Sequence, residues 1–133
     1  MIHAPAPVLP SAGMRPTSLV GAPYMHLGRD PVRGIDCWGV VLLCKSGVPD
    51  YAFDPAARAA FARSVLEAWR DSRWVELEEP ADRCLVMLDR SHAGVWWRGR
   101  VVHATREDGV RSDPAGDLPL LGYPAPRFGE WIG

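Results

Sequence analysis

Cysteine is scarce in this chain of 133 residues, which contains only Cys37, Cys44 and Cys84. An odd number of cysteines without Cys-x-x-Cys spacing gives little support to a disulfide framework or to a structural zinc site. We therefore expect reduced thiols, no metal and no cofactor. Reduced thiols are typical of a protein made in the cytoplasm.

Strong net charge and long apolar segments are missing as well. The formal net charge is -1 at pH 7, whereas a nucleic-acid duplex or an anionic membrane surface attracts clustered positive charge. No uninterrupted apolar segment reaches the length of a membrane span, and residues 1–5 show neither the basic leader nor the apolar core of a signal peptide. We expect no nucleic-acid partner, no membrane partner and a protein that is cytoplasmic when made.

The residues that are present have the balance of a soluble domain, with 47% hydrophobic and 23% charged residues. A length of 133 residues suffices for one core but is short for two. Four prolines within residues 1–16 exclude a regular helix there. We predict a proline-rich arm over residues 1–18 and a single domain over residues 19–133.

The most informative segment is residues 34–44, with the sequence GIDCWGVVLLC. A short carboxylate side chain before an apolar run can accept hydrogen bonds from the unpaired amides of a first helical turn. The pattern predicts that Asp36 is the N-cap and that Cys37 is the first helical residue. Gly47 predicts the end of this helix, and Gly39 inside its first turn indicates that another element approaches closely.

The following segment predicts a second helix and two strands. The helix begins after Asp54, an N-cap residue, and Pro55 suits its first position. Its apolar stripe recurs every four residues, at Phe61, Val65 and Trp69. Alternation over residues 74–78 and a continuous apolar run over residues 84–88 predict strands.

Cys37 occupies a chemically distinctive position if this helix is correct. Unpaired amides and the positive end of the helix dipole stabilise a thiolate relative to a thiol. We therefore expect a depressed pKa and a nucleophilic sulfur. The alternative is a cysteine that simply fills core space beside Trp38, because cysteine is among the most often buried residues.

A second informative segment, residues 91–104, carries two of the four histidines. If Arg98 and Gly99 form a two-residue hairpin turn, His92 and His103 lie on one face as diagonal neighbours, at roughly 7 to 8 Å between backbones. A one-residue bulge would place them on opposite faces. The alternative to a functional pair is two half-buried histidines that hydrogen-bond to backbone.

These residues match the demands of thiol catalysis. A nucleophilic sulfur needs a base that takes its proton and later protonates the leaving amine, and imidazole has a suitable pKa for both steps. The base needs a third polar group that holds its tautomer and orientation. We assign Cys37 as nucleophile, His92 as base and His103 as orienting residue, with backbone amides of the helix start stabilising the oxyanion.

The same segments resemble a known family. Residues 21–24 (GAPY), 34–41 (GIDCWGVV), 92–95 (HAGV) and 102–104 (VHA) resemble the NlpC-type cell-wall peptidases. The DCWG form resembles the branch found in phage tail assembly and tail-tip proteins. The resemblance implies a papain-like α+β fold, in which the N-terminal nucleophile helix and a second helix pack against an antiparallel sheet.

The resemblance also implies roles for individual residues. It makes three residues catalytic: Cys37, His92 and His103. Tyr24 is similar to an aromatic residue that contacts the nucleophile in this family. Asp36 and Trp38 flank the cysteine, and we expect them to bind substrate or position the nucleophile, with Trp38 narrowing the cleft. Residues 120–123 (LLGY) resemble the closing strand of the phage branch.

The function that the resemblance implies is a cysteine endopeptidase of the bacterial cell wall. Its members cleave peptidoglycan stem peptides between D-glutamate, through its γ-carboxyl, and diaminopimelate. We expect a component of a phage or prophage tail, with cell-wall peptide and other tail proteins as partners and the virion tail as final location. Two alternatives stay open: a non-catalytic tail-tip or assembly module of the same fold, and an amidase or acyltransferase acting on another substrate.

Overall fold

The computed structural model describes residues 13–51 and 71–133. Its helix and strands, in chain order, are β1 (Arg29–Asp30), β2 (Gly34–Ile35), α1 (Cys37–Cys44), β3 (Trp74–Leu77), β4 (Leu85–Asp89), β5 (His92–Trp97), β6 (Arg100–Thr105), β7 (Gly109–Pro114) and β8 (Arg127–Trp131). Short 3-10 helices cover Pro16–Leu19, Ala115–Asp117 and Pro119–Leu121. Within the two described ranges, no helix is long and apolar enough to cross a membrane.

The larger sheet has six strands in the order β3-β8-β4-β5-β6-β7, and all of its strand pairs are antiparallel. Strands β1 and β2 form a separate antiparallel pair. Helix α1 packs mainly against β5 and β6. The described part of the chain is therefore α+β, which confirms the predicted class at that level. The second predicted helix falls on residues outside those described.

Helix α1 is apolar on every side and is buried on every side. All eight residues from Cys37 to Cys44 are buried, as expected of a helix that lacks a polar face. Asp36 is the N-cap and Cys37 is the first helical residue, which confirms the prediction. The helix ends at Cys44 because Lys45 already has an extended backbone. Cys44, the last residue of α1, belongs to the core.

The hairpin of β5 and β6 has the predicted turn. Arg98 and Gly99 have φ values of 50° and 80°, and a two-residue type I′ turn requires positive φ at both positions. Trp97 pairs with Arg100, and the register continues without interruption to Val95 opposite Val102. No bulge interrupts these three pairs. Successive side chains of both strands therefore alternate between the two faces of the hairpin.

The closing strand of the sheet lies further along the chain than predicted. Residues 120–123 do not form a strand: Pro119–Leu121 is a 3-10 helix, and Gly122 ends it with a φ of 94°. Pro119 stands at the start of this turn, where its fixed φ and missing N–H cost nothing. The closing strand is β8, which inserts between β3 and β4.

The end of the predicted proline-rich arm packs against the domain. The N–H groups of Gly13 and Met14 both donate to the carbonyl of Leu43, each at 2.8 Å. The Arg83 guanidinium donates to the carbonyls of Gly13 and Met14 and to that of Cys44 at 3.0 to 3.1 Å. Residues 13–14 therefore satisfy backbone groups near the end of α1.

Close packing at Gly39 gives the first prediction. A Cβ at this position would lie 2.5 Å from Cγ2 of Ile35 and 2.6 Å from the carbonyl oxygen of Gly28. Alanine is the better helix former, yet we expect Gly39→Ala to lower the free energy of unfolding by about 2 kcal/mol, because overpacking outweighs propensity. Urea denaturation followed by circular dichroism measures the difference.

Gly116→Ala is the matched control, because no atom lies within 4 Å of a Cβ built there. We expect its stability to stay close to that of the wild type. A Gly39→Ala variant as stable as the Gly116→Ala variant would contradict the close approach that the structure shows.

Candidate active site

The Asp36 carboxylate ties the start of α1 to the loop before it. Its Oδ1 accepts from the Gly39 N–H at 2.8 Å, and its Oδ2 accepts from the Leu27 N–H at 2.9 Å. Arg29 Nη1 donates to Oδ1 at 2.6 Å. The side chain is fully buried, and this burial raises the pKa of Asp36, while Arg29 and the two N–H groups act in the opposite direction. Asp36 thus positions Cys37 through the backbone.

Arg29 is a structural residue rather than a free site for a substrate carboxylate. Its Nε and Nη2 donate to the two carboxylate oxygens of Asp50 at 2.9 and 3.0 Å, and its side chain is only 13% exposed. The guanidinium therefore bridges two buried carboxylates, Asp36 and Asp50. A buried charge is tolerated where it is paired and hydrogen-bonded in this way.

Cys37 lies where predicted, but its pKa moves in the direction opposite to the expected one. Burial raises the pKa of the thiol to about 12, and the adjacent Asp36 carboxylate adds to this effect. Hydrogen bonds from the N–H groups of Ala93 and Trp38 act against it without overcoming it. The expected low-pKa thiolate is therefore wrong for the resting molecule. Desolvation at a side chain that is 3% exposed outweighs the helix dipole.

The two histidines lie on the same face of the hairpin and touch. Nε2 of His92 and Nδ1 of His103 are 2.8 Å apart, and the ring centroids are 5.0 Å apart with the planes at 69°. Burial, followed by the charge of His103, lowers the pKa of His92 to about 4, while Asp89 opposes this. Burial also lowers the pKa of His103, against the effect of Asp113. The predicted pair is present, and both rings are neutral near pH 7.

A third strand contributes a residue that we did not predict from the sequence. Oδ2 of Asp113, on β7, lies 2.8 Å from Nε2 of His103. Arg111 donates from Nη2 to the other oxygen of Asp113 at 2.8 Å. His103 pairs with Arg111 across β6 and β7, so Asp113 is a diagonal neighbour of His103 on the same face. The alternation of residues 109–114 is the signal that would have found it.

An open cleft of about 440 Å³ joins the cysteine to the first histidine. Its lining includes Cys37, His92 and the predicted Tyr24, together with Tyr123, Arg106 and Glu107. Sγ of Cys37 accepts from the N–H of Ala93, the residue that follows His92. The predicted nucleophile and base therefore face a common space at the junction of α1 and β5.

Two tyrosines shape this cleft. Tyr123 stacks on His92, with ring centroids 5.5 Å apart and planes at 27°. Tyr24 forms an isolated bridge with Ile35, and its hydroxyl hydrogen-bonds with Arg106. Tyr123 is a second residue that the sequence did not indicate as part of the site, because residues 120–123 resemble a closing strand.

Trp38 belongs to the core and does not line the cleft. It is 1% exposed, and its Nε1 donates to the carbonyl of Pro49 at 3.1 Å. Its ring packs on Tyr51 and Trp74, with centroids 5.4 and 6.2 Å away. The expectation that Trp38 narrows the cleft is therefore wrong, and its effect on the nucleophile is confined to the packing of α1.

No protein-family model matches the chain, and no curated protein matches it. Within residues 13–51 and 71–133, no group of three or more His, Cys, Asp or Glu side chains is placed to hold a metal ion. All three cysteines are free and buried.

The bridge made by Arg29 gives the second prediction. Arg29→Met keeps an unbranched apolar stem but removes the guanidinium, so two buried carboxylates are left without their cation. We expect the free energy of unfolding to fall by about 3 to 5 kcal/mol, as is typical when one partner of a buried ion pair is removed. Thermal and urea unfolding measure the change.

Arg33→Met is the matched control, because Arg33 is an exposed arginine of the same β1–β2 hairpin. Its replacement should leave stability within about 0.5 kcal/mol of the wild type. Equal losses of stability in the two variants would show that the ion pairs of Arg29 with Asp36 and Asp50 stabilise the fold no more than an exposed arginine does.

Proposed function

We propose that this chain is a cysteine endopeptidase with a papain-like fold that hydrolyses peptidoglycan stem peptides as part of a phage or prophage tail. The observation that carries the proposal is one open cleft lined by both Cys37 and His92, with His92 hydrogen-bonded to His103. A thiol at a helix start, an imidazole beside it and a group that orients the imidazole are what acyl transfer from a peptide requires.

The protonation states favour general-base catalysis over a preformed ion pair. The pKa of Cys37 is raised to about 12 and that of His92 is lowered to about 4. Near pH 7 the sulfur therefore carries its proton and the His92 ring is free to accept it. The proton moves as substrate binds and the sulfur attacks, in the way that a serine hydroxyl is activated by a neutral histidine.

Acylation then proceeds in two stages. Sγ of Cys37 forms a bond to the carbonyl carbon while its proton passes to His92, and the carbonyl oxygen takes the negative charge. Backbone N–H groups at the start of α1 stabilise that oxyanion. The C–N bond breaks, His92 gives the proton to the leaving amine, and a thioester on Cys37 stays behind.

Deacylation reverses the roles. A water molecule gives a proton to His92 and adds to the thioester carbon. The C–S bond breaks, the carboxylic acid leaves, and Cys37 recovers its proton from His92. The net reaction consumes one water molecule and cleaves one amide bond, so no oxidant, reductant or cofactor is needed.

The substrate class rests on sequence resemblance together with the charged residues that line the cleft. Residues 34–41 and 92–95 resemble the NlpC-type peptidases that cleave between γ-D-glutamate and diaminopimelate. The cleft carries both signs of charge, from Arg106 and Glu107, which suits a stem peptide that has both free carboxylates and free amines. An amidase or acyltransferase on another substrate would use the same residues.

One observation favours a second candidate, a structural tail module without turnover. Cys37 is 3% exposed and its thiol is strongly held in the neutral form, which is also what a core cysteine shows. The two candidates share the fold and differ only in whether the sulfur is acylated.

The third prediction separates them with a matched pair of alanine variants. Cys37→Ala should remove cleavage of purified muropeptides, followed by mass spectrometry, with a loss of at least about 1,000-fold because no nucleophile is left. Cys44→Ala, at the other end of the same helix and away from the cleft, should keep activity within a few fold. Cleavage that survives Cys37→Ala would exclude Cys37 as the nucleophile, and no cleavage by the wild type would favour the structural module.

The fourth prediction concerns the acid side of the pH profile. The pKa of His92 is lowered, so its basic form persists below the usual titration range of histidine and is lost only as the pH falls through about 4. We expect kcat/KM to stay level from pH 7 down to about 5 and to fall near pH 4. Circular dichroism at each pH verifies that the protein stays folded, and a fall centred between pH 6 and 7 would contradict a buried neutral base.

A further inference from the structure

A chain of three hydrogen-bonded side chains runs from the cleft to the far edge of the sheet. His92 Nε2 lies 2.8 Å from His103 Nδ1, and His103 Nε2 lies 2.8 Å from Oδ2 of Asp113. The three residues come from β5, β6 and β7 in turn. His103 is 1% exposed and Asp113 is 7% exposed, so protein atoms rather than bulk solvent satisfy most of these polar groups.

At Asp113, the last of these three side chains, only one donor–acceptor direction is possible. Arg111 donates from Nη2 to Oδ1 of Asp113 at 2.8 Å, and its Nε lies 2.8 Å from Oδ2. Although partial burial opposes it, hydrogen bonds from Arg111 and His103 lower the pKa of Asp113. An ionised carboxylate only accepts. His103 must therefore carry its proton on Nε2 and donate it to Asp113.

The protonation of His103 also determines which nitrogen of His92 carries a proton. A neutral His103 with its proton on Nε2 has an unprotonated Nδ1, which accepts. His92 must therefore carry its own proton on Nε2 and donate it to His103. The ring nitrogen that is left without a proton is Nδ1 of His92, and among the described residues no hydrogen bond occupies it.

We infer that Asp113 is a positioning residue that sets the tautomers of both histidines and thereby leaves Nδ1 of His92 as the proton acceptor of the site. Its place in catalysis rests on the proposed peptidase function, whereas its effect on the tautomers does not. Asp113 acts only through His103 and lies outside the lining of the cleft.

Two neutral imidazoles can hydrogen-bond to each other in two ways, with either ring as the donor. The pair His92–His103 forms an equally good hydrogen bond with the proton on either ring. If His103 donated from Nδ1, the proton of His92 would move to Nδ1, and that nitrogen would have no lone pair for a thiol proton. Asp113 removes this second arrangement because it leaves His103 no acceptor role at Nε2.

The first test reads the tautomers in the wild type and needs no substrate. Two-bond ¹H–¹⁵N correlation spectra of the full chain labelled with ¹⁵N-histidine show which ring nitrogen carries the proton at pH 7. We expect protons on Nε2 of both His92 and His103. A proton on Nδ1 of either ring would overturn the inference without any variant being made.

The second test compares Asp113→Ala with Asp108→Asn. Both replaced carboxylates pair with Arg111, but Asp108 has no contact with either ring and its side chain is 58% exposed, so it is a matched control. In Asp113→Ala we expect a mixture of tautomers in the ring spectra, while Asp108→Asn keeps the wild-type spectrum. Ring spectra that are unchanged in a folded Asp113→Ala variant would overturn the inference.

Turnover distinguishes this inference from the proposed function. On muropeptides, Asp113→Ala should lower kcat in proportion to the share of His92 that carries its proton on Nδ1, which is about twofold for an equal mixture of the two tautomers, with little change in KM. Asp113→Glu, which restores an acceptor, should recover part of the loss. If the wild type has the expected tautomers but cleaves no peptide, the proposed function fails and the positioning role stands. If the wild type is active and Asp113→Ala keeps full kcat, the catalytic part of the inference fails.

Discussion

The carboxylate of Asp36 is the constraint on which the candidate site depends. It caps α1 through the Gly39 N–H, holds the preceding loop through the Leu27 N–H and pairs with Arg29. Because Cys37 is the next residue, these bonds of Asp36 fix the backbone from which the buried Cys37 side chain extends. The same bridge, extended to Asp50, joins the β1–β2 hairpin to the segment after α1. One buried acid thus sets both the start of α1 and the position of the Cys37 side chain.

The site shows how burial and local electrostatics compete at a helix start. The helix dipole favours a thiolate at Cys37, but desolvation and the neighbouring carboxylate favour the thiol and prevail. The same burial keeps His92 neutral. A neutral thiol beside a neutral imidazole stores no ion pair, so a reaction there must form its charges only when substrate is present. Preorganised groups such as His103 then matter more, because they must already point in the right direction.

Local patterns in the sequence predicted the parts of the site that local structure determines. Asp36 as N-cap, Cys37 as first helical residue and the turn at Arg98–Gly99 depend on neighbours within a few positions, and each is confirmed. The contact of His92 with His103 followed from the register of a tight hairpin. The pKa of Cys37 could not be predicted in the same way, because it depends on how completely the folded chain removes the sulfur from water.

The rest of the site depends on connections that a single sequence does not determine. Asp113 reaches His103 only because β7 pairs with β6 in one register, and Tyr123 reaches His92 only because residues 119–122 form a turn instead of a strand. The place of β8 between β3 and β4 is likewise non-local. Trp38 was ambiguous for the same reason, since sequence alone does not tell which side of a wholly apolar helix faces a cleft.

The most direct test of the account is to trap the acyl group on the chain. The protein is mixed with a stem peptide containing the γ-D-glutamyl bond, quenched in acid within milliseconds to seconds, digested and measured by mass spectrometry. We predict a thioester that adds the acyl half of the substrate to the peptide containing Cys37, forms before product accumulates and is absent from Cys37→Ala. Product formation with no adduct on that peptide, or an adduct on another residue, would contradict the account.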